Sequence, residues 1–137
     1  MTRADLTRLR KLRAELGETE ERILSLMESM ERITATCETI RGGSRQDKFA
    51  AYAARMESLE RRRDSLMRRI RRLERAVEEW IRMQPRETVR ECLRLRHIEG
   101  LAWRKIARRM QYSLPAVRKM EQVALKKGRK GDLHADD

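Results

Sequence analysis

The sequence predicts an all-α protein in which a long antiparallel helical hairpin, a coiled coil, precedes a three-helix helix-turn-helix module. Charged residues make up 41% of the 137 residues and aromatic residues only 4%, which suits long amphipathic helices better than a thick core. Only two prolines and six glycines interrupt the chain. Apolar residues recur at alternating spacings of three and four, and this period changes after Pro85.

Two heptad seams of equal length predict that residues 1–84 form the hairpin. Nine of the ten positions in each seam are apolar. The first seam holds Leu9, Leu12, Leu16, Thr19, Ile23, Leu26, Met30, Ile33, Cys37 and Ile40. The second holds Phe49, Tyr52, Met56, Leu59, Arg63, Leu66, Ile70, Leu73, Val77 and Trp80. Residues 41–48 are expected to form the loop, because the paired glycines within them favour the backbone conformation that ends a helix.

The charges of the two seams favour an antiparallel pairing. Residues 15–38 contain seven acidic and two basic residues, whereas residues 51–74 contain eight arginines and four acidic residues. Folding at the glycines places these stretches side by side. The arginines between 61 and 72 are therefore expected to complement the acidic helix, with a nucleic-acid tract as the alternative. Because one hairpin buries a single apolar stripe, we expect it to form a homodimer.

Residues 85–131 are predicted to form three short helices, followed by a tail at 132–137. The first spans 86–98, and Gly100 suits the left-handed position after it. The second begins at Ala102–Trp103. Ser113 is a natural N-cap for the third, which Gly128 and Gly131 are expected to end. The expected inward residues are Val89, Cys92, Leu93, His97, Trp103, Ile106, Ala107, Met110, Tyr112, Val117, Met120, Val123 and Ala124.

The spacing of the last two helices predicts a helix-turn-helix. A small residue is needed where the helices cross closely, and Ala107 supplies it, while Val117 fills the same crossing ten positions later. Trp103 is interpreted as a core anchor rather than a base-stacking residue. His97 is interpreted as a residue at the edge of the core rather than a metal ligand or an acid–base group.

The segment RECLRLRHIEGLAWRKIARRMQYSLPAVRKMEQVALKK resembles region 4 of sigma-70-type factors. A helical hairpin followed by this module is similar to small phage or prophage regulators of the RinA/ArpU type. The resemblance implies transcriptional regulation on phage or mobile-element DNA, with RNA polymerase as a further candidate partner. The family commonly has a glycine where this chain has Gln111, so the turn is expected to differ slightly. No segment like region 2 is present in the sequence, which argues against a complete sigma factor.

The last helix, at about 114–127, is expected to enter the major groove of double-stranded DNA. The expected base contacts are Ser113, Leu114, Pro115, Arg118, Lys119 and Gln122. The expected phosphate contacts are Arg104, Lys105, Arg108, Lys126 and Lys127. Residues 85–131 hold 14 Lys or Arg and four Glu, a net charge of +10, against +12 for the whole chain. Most of the positive charge is therefore concentrated on this module.

Other functional classes find less support in the sequence. Cys37 and Cys92 are expected to be buried reduced thiols, since their spacing fits neither a disulfide framework nor a metal site. The sequence shows no paired acid–base residues and no phosphate-binding loop, so we expect neither an enzyme nor a cofactor. The opening residues do not resemble a signal peptide and no apolar run could span a membrane, so we expect a cytoplasmic protein in a bacterial cell, associated with the nucleoid. The alternatives are a DNA-packaging factor similar to a small terminase and a coiled-coil adaptor. A basic amphipathic protein that binds a membrane surface fits the two different apolar periods poorly.

Overall fold

The structure, a computed structural model, describes residues 1–36 and 43–135, with side chains for residues 1–35 and 46–126. It contains five helices and, within these ranges, no strand, so the predicted all-α class is confirmed. The helices are α1 (Arg3–Thr36), α2 (Gly43–Arg82), α3 (Glu87–His97), α4 (Trp103–Met110) and α5 (Leu114–Ala135).

Side chains at the ends of the helices explain where two of them begin. Thr2 Oγ1 accepts a hydrogen bond from the backbone N–H of Asp5 at 3.2 Å, and the Asp5 carboxylate accepts one from the Thr2 N–H at 3.1 Å. This reciprocal pair is a capping box at the start of α1. Ser113 Oγ accepts a hydrogen bond from the Ala116 N–H at 3.3 Å, which confirms the predicted N-cap of α5.

α1 and α2 pair in antiparallel fashion within the compact unit Lys11–Ile70. Glu15 of α1 lies 3.8 Å from Arg62 of α2. Met30, later on α1, lines a groove with Tyr52, earlier on α2. Rising residue numbers on α1 therefore meet falling numbers on α2, and the predicted hairpin orientation is confirmed.

Both predicted seams face inward. Every seam position whose side chain the structure describes is buried or half-buried, while Cys37 and Ile40 lie outside the described residues. Thr19, the polar residue of the first seam, is only 2% exposed. Its hydroxyl donates a hydrogen bond to the Glu15 carbonyl at 2.8 Å, so the buried hydroxyl is satisfied within its own helix.

Some arginines in the arginine-rich stretch of α2 form ion pairs with acidic residues. Arg62 faces Glu15 of α1 at 3.8 Å, as the charge pattern predicts. Arg61 instead pairs with Glu57 one turn earlier on α2, and Arg63 lies 3.5 Å from Asp64. Because these pairs are solvent-exposed, each contributes at most about 1 kcal/mol to stability. Of the three pairs, Arg62–Glu15 alone joins α2 to α1, so it favours the helix pairing but supplies little of its stability.

The chain divides into compact units at boundaries other than the predicted one. One unit is Lys11–Ile70, and the other combines Met1–Arg10 with Arg71–Asp137. The boundary at residue 84 stays a prediction, while by their contacts residues 1–10 and the end of α2 group with α3, α4 and α5. The reason is packing, since Arg3 forms an ion pair with Glu121 of α5, and the Trp80 ring lies 6.3 Å from that of His97. Pro85 ends a helix without ending the packing unit.

Two predictions about helix ends are wrong. α2 already begins at Gly43, so residues 44–48 are helical instead of forming a loop. α5 continues to Ala135 through both glycines that were expected to end it, so residues 132–135 are helical rather than a tail. A glycine inside a helix costs about 1 kcal/mol relative to alanine, and that cost alone does not terminate a helix.

A small apolar core holds α3, α4 and α5 together. Its buried members are Cys92, Leu95, Ile106, Ala107 and Val117, each no more than 7% exposed. Leu101, Trp103, Met110, Leu114 and Met120 pack against this cluster and are partly buried. The predicted crossing of Ala107 with Val117 is therefore confirmed. Val123 was predicted to face inward but is 40% exposed, because the buried face of α5 runs instead through Val117, Glu121 and Ala124.

The two valines of α5 give a matched test of this core. Val117 is fully buried and Val123 is 40% exposed. We expect Val117→Ala to lower the free energy of unfolding by about 2–3 kcal/mol, because it removes buried methyl groups and leaves a cavity. Val123→Ala should change it by less than about 0.5 kcal/mol. Chemical denaturation monitored by circular dichroism measures both, and equal losses would contradict this packing.

Candidate nucleic-acid interface

The turn between α4 and α5 keeps a left-handed residue without using glycine. Gln111 has φ 61° and ψ 38°, in the left-handed region that favours glycine. The following Tyr112 N–H donates a hydrogen bond to the Ala107 carbonyl at 3.0 Å, which closes the end of α4. The backbone at Gln111 therefore keeps the left-handed conformation, and what differs is that a glutamine adopts it at a cost in strain. Tyr112, predicted to point inward, is 42% exposed.

A buried carboxylate links α5 to two other helices. Glu121 is only 2% exposed and lies 2.8 Å from His97 Nε2 of α3. Its second oxygen accepts a charge-assisted hydrogen bond from Arg3 of α1 at 2.5 Å. Burying a carboxylate is costly unless its charge is paired and its oxygens accept hydrogen bonds. Both conditions are met only when α5 presents Glu121 to His97 and Arg3.

The surroundings of Glu121 favour its charged form. Burial by itself would raise the pKa of this carboxyl group. The hydrogen bond and charge of His97, together with the charge and hydrogen bond of Arg3, outweigh burial and lower the pKa below its ordinary value. The carboxylate is therefore ionised at neutral pH. No local feature of the sequence indicates this role, since Glu121 lies in a basic helix where an acid is usually solvated.

Cys92 is a buried thiol within the same core, as predicted. Its Sγ donates a weak hydrogen bond to the Val117 carbonyl at 3.6 Å. Burial, with smaller effects of Glu121 and Glu91, raises the pKa of this thiol to about 11. The group therefore stays protonated at neutral pH and acts as a small apolar side chain.

The face of α5 opposite the core carries most of the residues predicted to contact bases. Ser113, Pro115, Arg118, Lys119 and Gln122 are all exposed. Leu114 differs, because it is half-buried against the core cluster and has less surface left for a thymine methyl group. We call Arg118, Lys119 and Gln122 the α5 ridge. These three side chains project from the same helix face, with Val117 and Glu121 behind them.

The residues predicted to contact phosphates lie on both helices of the motif. Arg104, Lys105 and Arg108 are exposed on α4, and Lys126 is exposed on α5. The Lys127 side chain lies outside the described residues. Arg104, Lys105, Arg108 and Lys126 thus add four exposed positive charges to those of the α5 ridge.

Two grooves border the exposed face of α5. Val123 and Lys119 line one of them together with Pro85, which precedes α3. Gln122 and Lys126 line the other, opposite the first residues of α1. The N-terminal turn of α1 is therefore a neighbour of the α5 ridge, which the sequence did not indicate.

Trp103 anchors the start of α4, as predicted. Its ring packs against the core cluster, and the Arg96 guanidinium lies over the ring at 4.7 Å from the centroid. Arg96 also donates a hydrogen bond to the Leu101 carbonyl at 3.0 Å, across the loop that joins α3 to α4. A cation over an indole face is attracted to it electrostatically. This ring face is therefore already covered and is not free to stack on a base.

Comparison of the chain with protein-family models, with curated proteins and with solved structures gave no match. Among the helices that the structure describes, none is long and apolar enough to cross a membrane.

Because the buried carboxylate of Glu121 is ionised, we expect the free energy of unfolding to depend on pH. The folded-state pKa of Glu121 lies below its unfolded value, so its contribution is complete above pH 4.5 and is lost as the pH falls through the folded-state pKa. We expect Glu121→Gln to lower the free energy of unfolding by about 2 kcal/mol at neutral pH. The difference between wild type and variant should shrink below that pH. Denaturation at several pH values tests this, and a constant difference down to acid pH would contradict it.

Proposed function

We propose that this protein is a sequence-specific regulator of transcription that places α5 in the major groove of double-stranded DNA. The observation that carries the proposal is the α5 ridge, in which Arg118, Lys119 and Gln122 share one exposed helix face. Val117 and Glu121 hold the opposite face in the core. An α-helix fits the major groove, where each base pair displays a distinct pattern of hydrogen-bond donors and acceptors.

The chemistry of the ridge suits base recognition. Arg118 can donate two hydrogen bonds to guanine O6 and N7, and Lys119 can donate to the same atoms. Gln122, one turn after Arg118, can both accept from and donate to adenine. Ser113 and Pro115 at the start of α5 lie where such helices approach base edges most closely.

The basic residues around the ridge supply affinity without sequence preference. Arg104, Lys105, Arg108, Lys126 and Lys127 are proposed to contact phosphates, which fixes the orientation of α5 on the duplex. The chain carries a net charge of +12, so association with DNA should be fast and should weaken steeply with salt.

We further propose that the hairpin forms a homodimer. Leu24 and Met27 on α1 are 59% and 47% exposed, and they are three residues apart on one helix, which supports self-association there. A two-fold dimer would present two α5 helices to a two-fold DNA site. The resemblance to small phage or prophage regulators of the RinA/ArpU type supports action on phage or mobile-element DNA in the bacterial cytoplasm, with RNA polymerase as a candidate partner. A DNA-packaging factor would instead form a large closed ring, which light scattering distinguishes from a dimer.

Replacing one residue of the ridge tests base recognition. We expect Arg118→Ala to lose the preference for guanine at one position of the selected DNA site, at a cost of about 1–3 kcal/mol there. Genome-wide DNA selection with the purified protein and with the variant measures this preference.

Arg109→Ala is the matched control, because Arg109 is an exposed arginine of α4 that lies 3.3 Å from Glu99. It removes the same charge without altering the ridge, so the selected sequence should not change. An unchanged preference in Arg118→Ala, or an equal change in both variants, would contradict the proposed role of Arg118.

A further inference from the structure

A polar pocket lies beside α5 within the unit formed by Met1–Arg10 and Arg71–Asp137. It has a volume of about 250 Å³ and is lined by side chains from four helices. Those that matter here are Arg3, Thr7, Arg10, Arg96, Trp103 and Glu121. Three arginines thus face one carboxylate, which makes the pocket strongly cationic.

The carboxylate of this pocket is already neutralised. Glu121 pairs with Arg3 and hydrogen-bonds to His97, so its charge is matched by groups other than Arg10 and Arg96. Arg10 forms no ion pair within the residues that the structure describes. The excess charge of the pocket therefore resides on Arg10 and Arg96.

Arg96 is held in place but is not fully satisfied. Its guanidinium lies over the Trp103 ring and donates one hydrogen bond, to the Leu101 carbonyl. Its Nε is buried and, among the described residues, has no hydrogen-bond partner. Burial and then the charge of Arg10 lower the pKa of Arg96, with Arg118 and Arg3 adding to the effect, whereas Glu121 opposes it. The guanidinium remains protonated at neutral pH, so an anion here would relieve this repulsion.

The ligand chemistry that fits best is a phosphate group. Guanidinium groups bind phosphate through pairs of parallel hydrogen bonds, and Arg10 and Arg96 approach the pocket from different helices. The Thr7 hydroxyl can donate a further hydrogen bond. The pocket also adjoins the proposed DNA surface, since Arg3 lines both this pocket and the groove that Gln122 of the α5 ridge lines.

We propose that this pocket binds a phosphate group of the DNA backbone, held by Arg10 and Arg96 with a hydrogen bond from Thr7. The first turns of α1 then belong to the DNA interface together with α4 and α5. This inference rests on the proposed DNA-binding function and adds a contact from a helix that the sequence assigns only to the hairpin.

The test uses full-length protein with Arg10→Ala, Arg10→Lys and the control Arg8→Ala. Arg8 is 62% exposed on the same helix, pairs with Asp5 and does not line the pocket, so its loss removes an equal charge. Binding to the selected duplex is measured by fluorescence anisotropy over a series of salt concentrations, after circular dichroism has shown equal folding. Binding of inorganic phosphate is measured separately by calorimetry.

We expect Arg10→Ala to bind DNA about tenfold more weakly than Arg8→Ala. The slope of log affinity against log salt should become shallower by about 0.9, as for the loss of one phosphate contact. Arg10→Lys should retain the slope with reduced affinity, because lysine keeps the charge without the paired hydrogen bonds.

The remaining outcomes separate the two proposals. If wild type binds no duplex, the proposed DNA-binding function fails, and this inference fails with it. If wild type binds DNA but Arg10→Ala matches Arg8→Ala, only the pocket is excluded from the interface. If Arg10→Ala loses affinity for inorganic phosphate but not for DNA, the pocket holds a free phosphate, and the assignment to the DNA backbone is overturned.

Discussion

The buried carboxylate of Glu121 is the constraint on which the arrangement of α5 depends. It is 2% exposed and meets His97 at 2.8 Å and Arg3 at 2.5 Å. A buried charge without these partners would be strongly unfavourable, whereas apolar residues tolerate small rotations of a helix. The pairing therefore selects one rotation of α5 about its axis. That rotation turns Arg118, Lys119 and Gln122 outward, so a structural ion pair determines which residues are available to a ligand.

Much of the fold was predictable because it follows from periodicity and local backbone preferences. The two seams follow from apolar spacing, the turn after α3 from Gly100 with its φ of 73°, and the start of α5 from Ser113. These signals lie within a few residues of the structure that they determine. The exposed ridge was predictable for the same reason, since Arg118 and Gln122 lie on the helix face opposite Val117.

The rest depends on contacts between distant residues, which a single sequence does not display. Glu121 and His97 are 24 residues apart, and nothing local distinguishes this glutamate from a solvated one. Arg3 and Arg10 belong to the compact unit that contains α5. The sequence does not indicate this, because the heptad pattern assigns both residues to the hairpin. Polarity does not identify the buried face of α5, since the apolar Val123 is exposed and the charged Glu121 is buried. Glycine alone is too weak a signal to end a helix, since α5 continues through Gly128 and Gly131 to Ala135.

We propose that the α5 ridge, rather than the arginine-rich stretch of α2, is the surface that contacts DNA. NMR titration of the labelled protein with its selected duplex tests this most directly, because the side-chain Nε–H of Arg118 and the amide group of Gln122 give their own signals. We expect large shifts for these two groups and for the backbone amides of α5. Shifts confined to residues 61–72 of α2, with α5 unchanged, would contradict it.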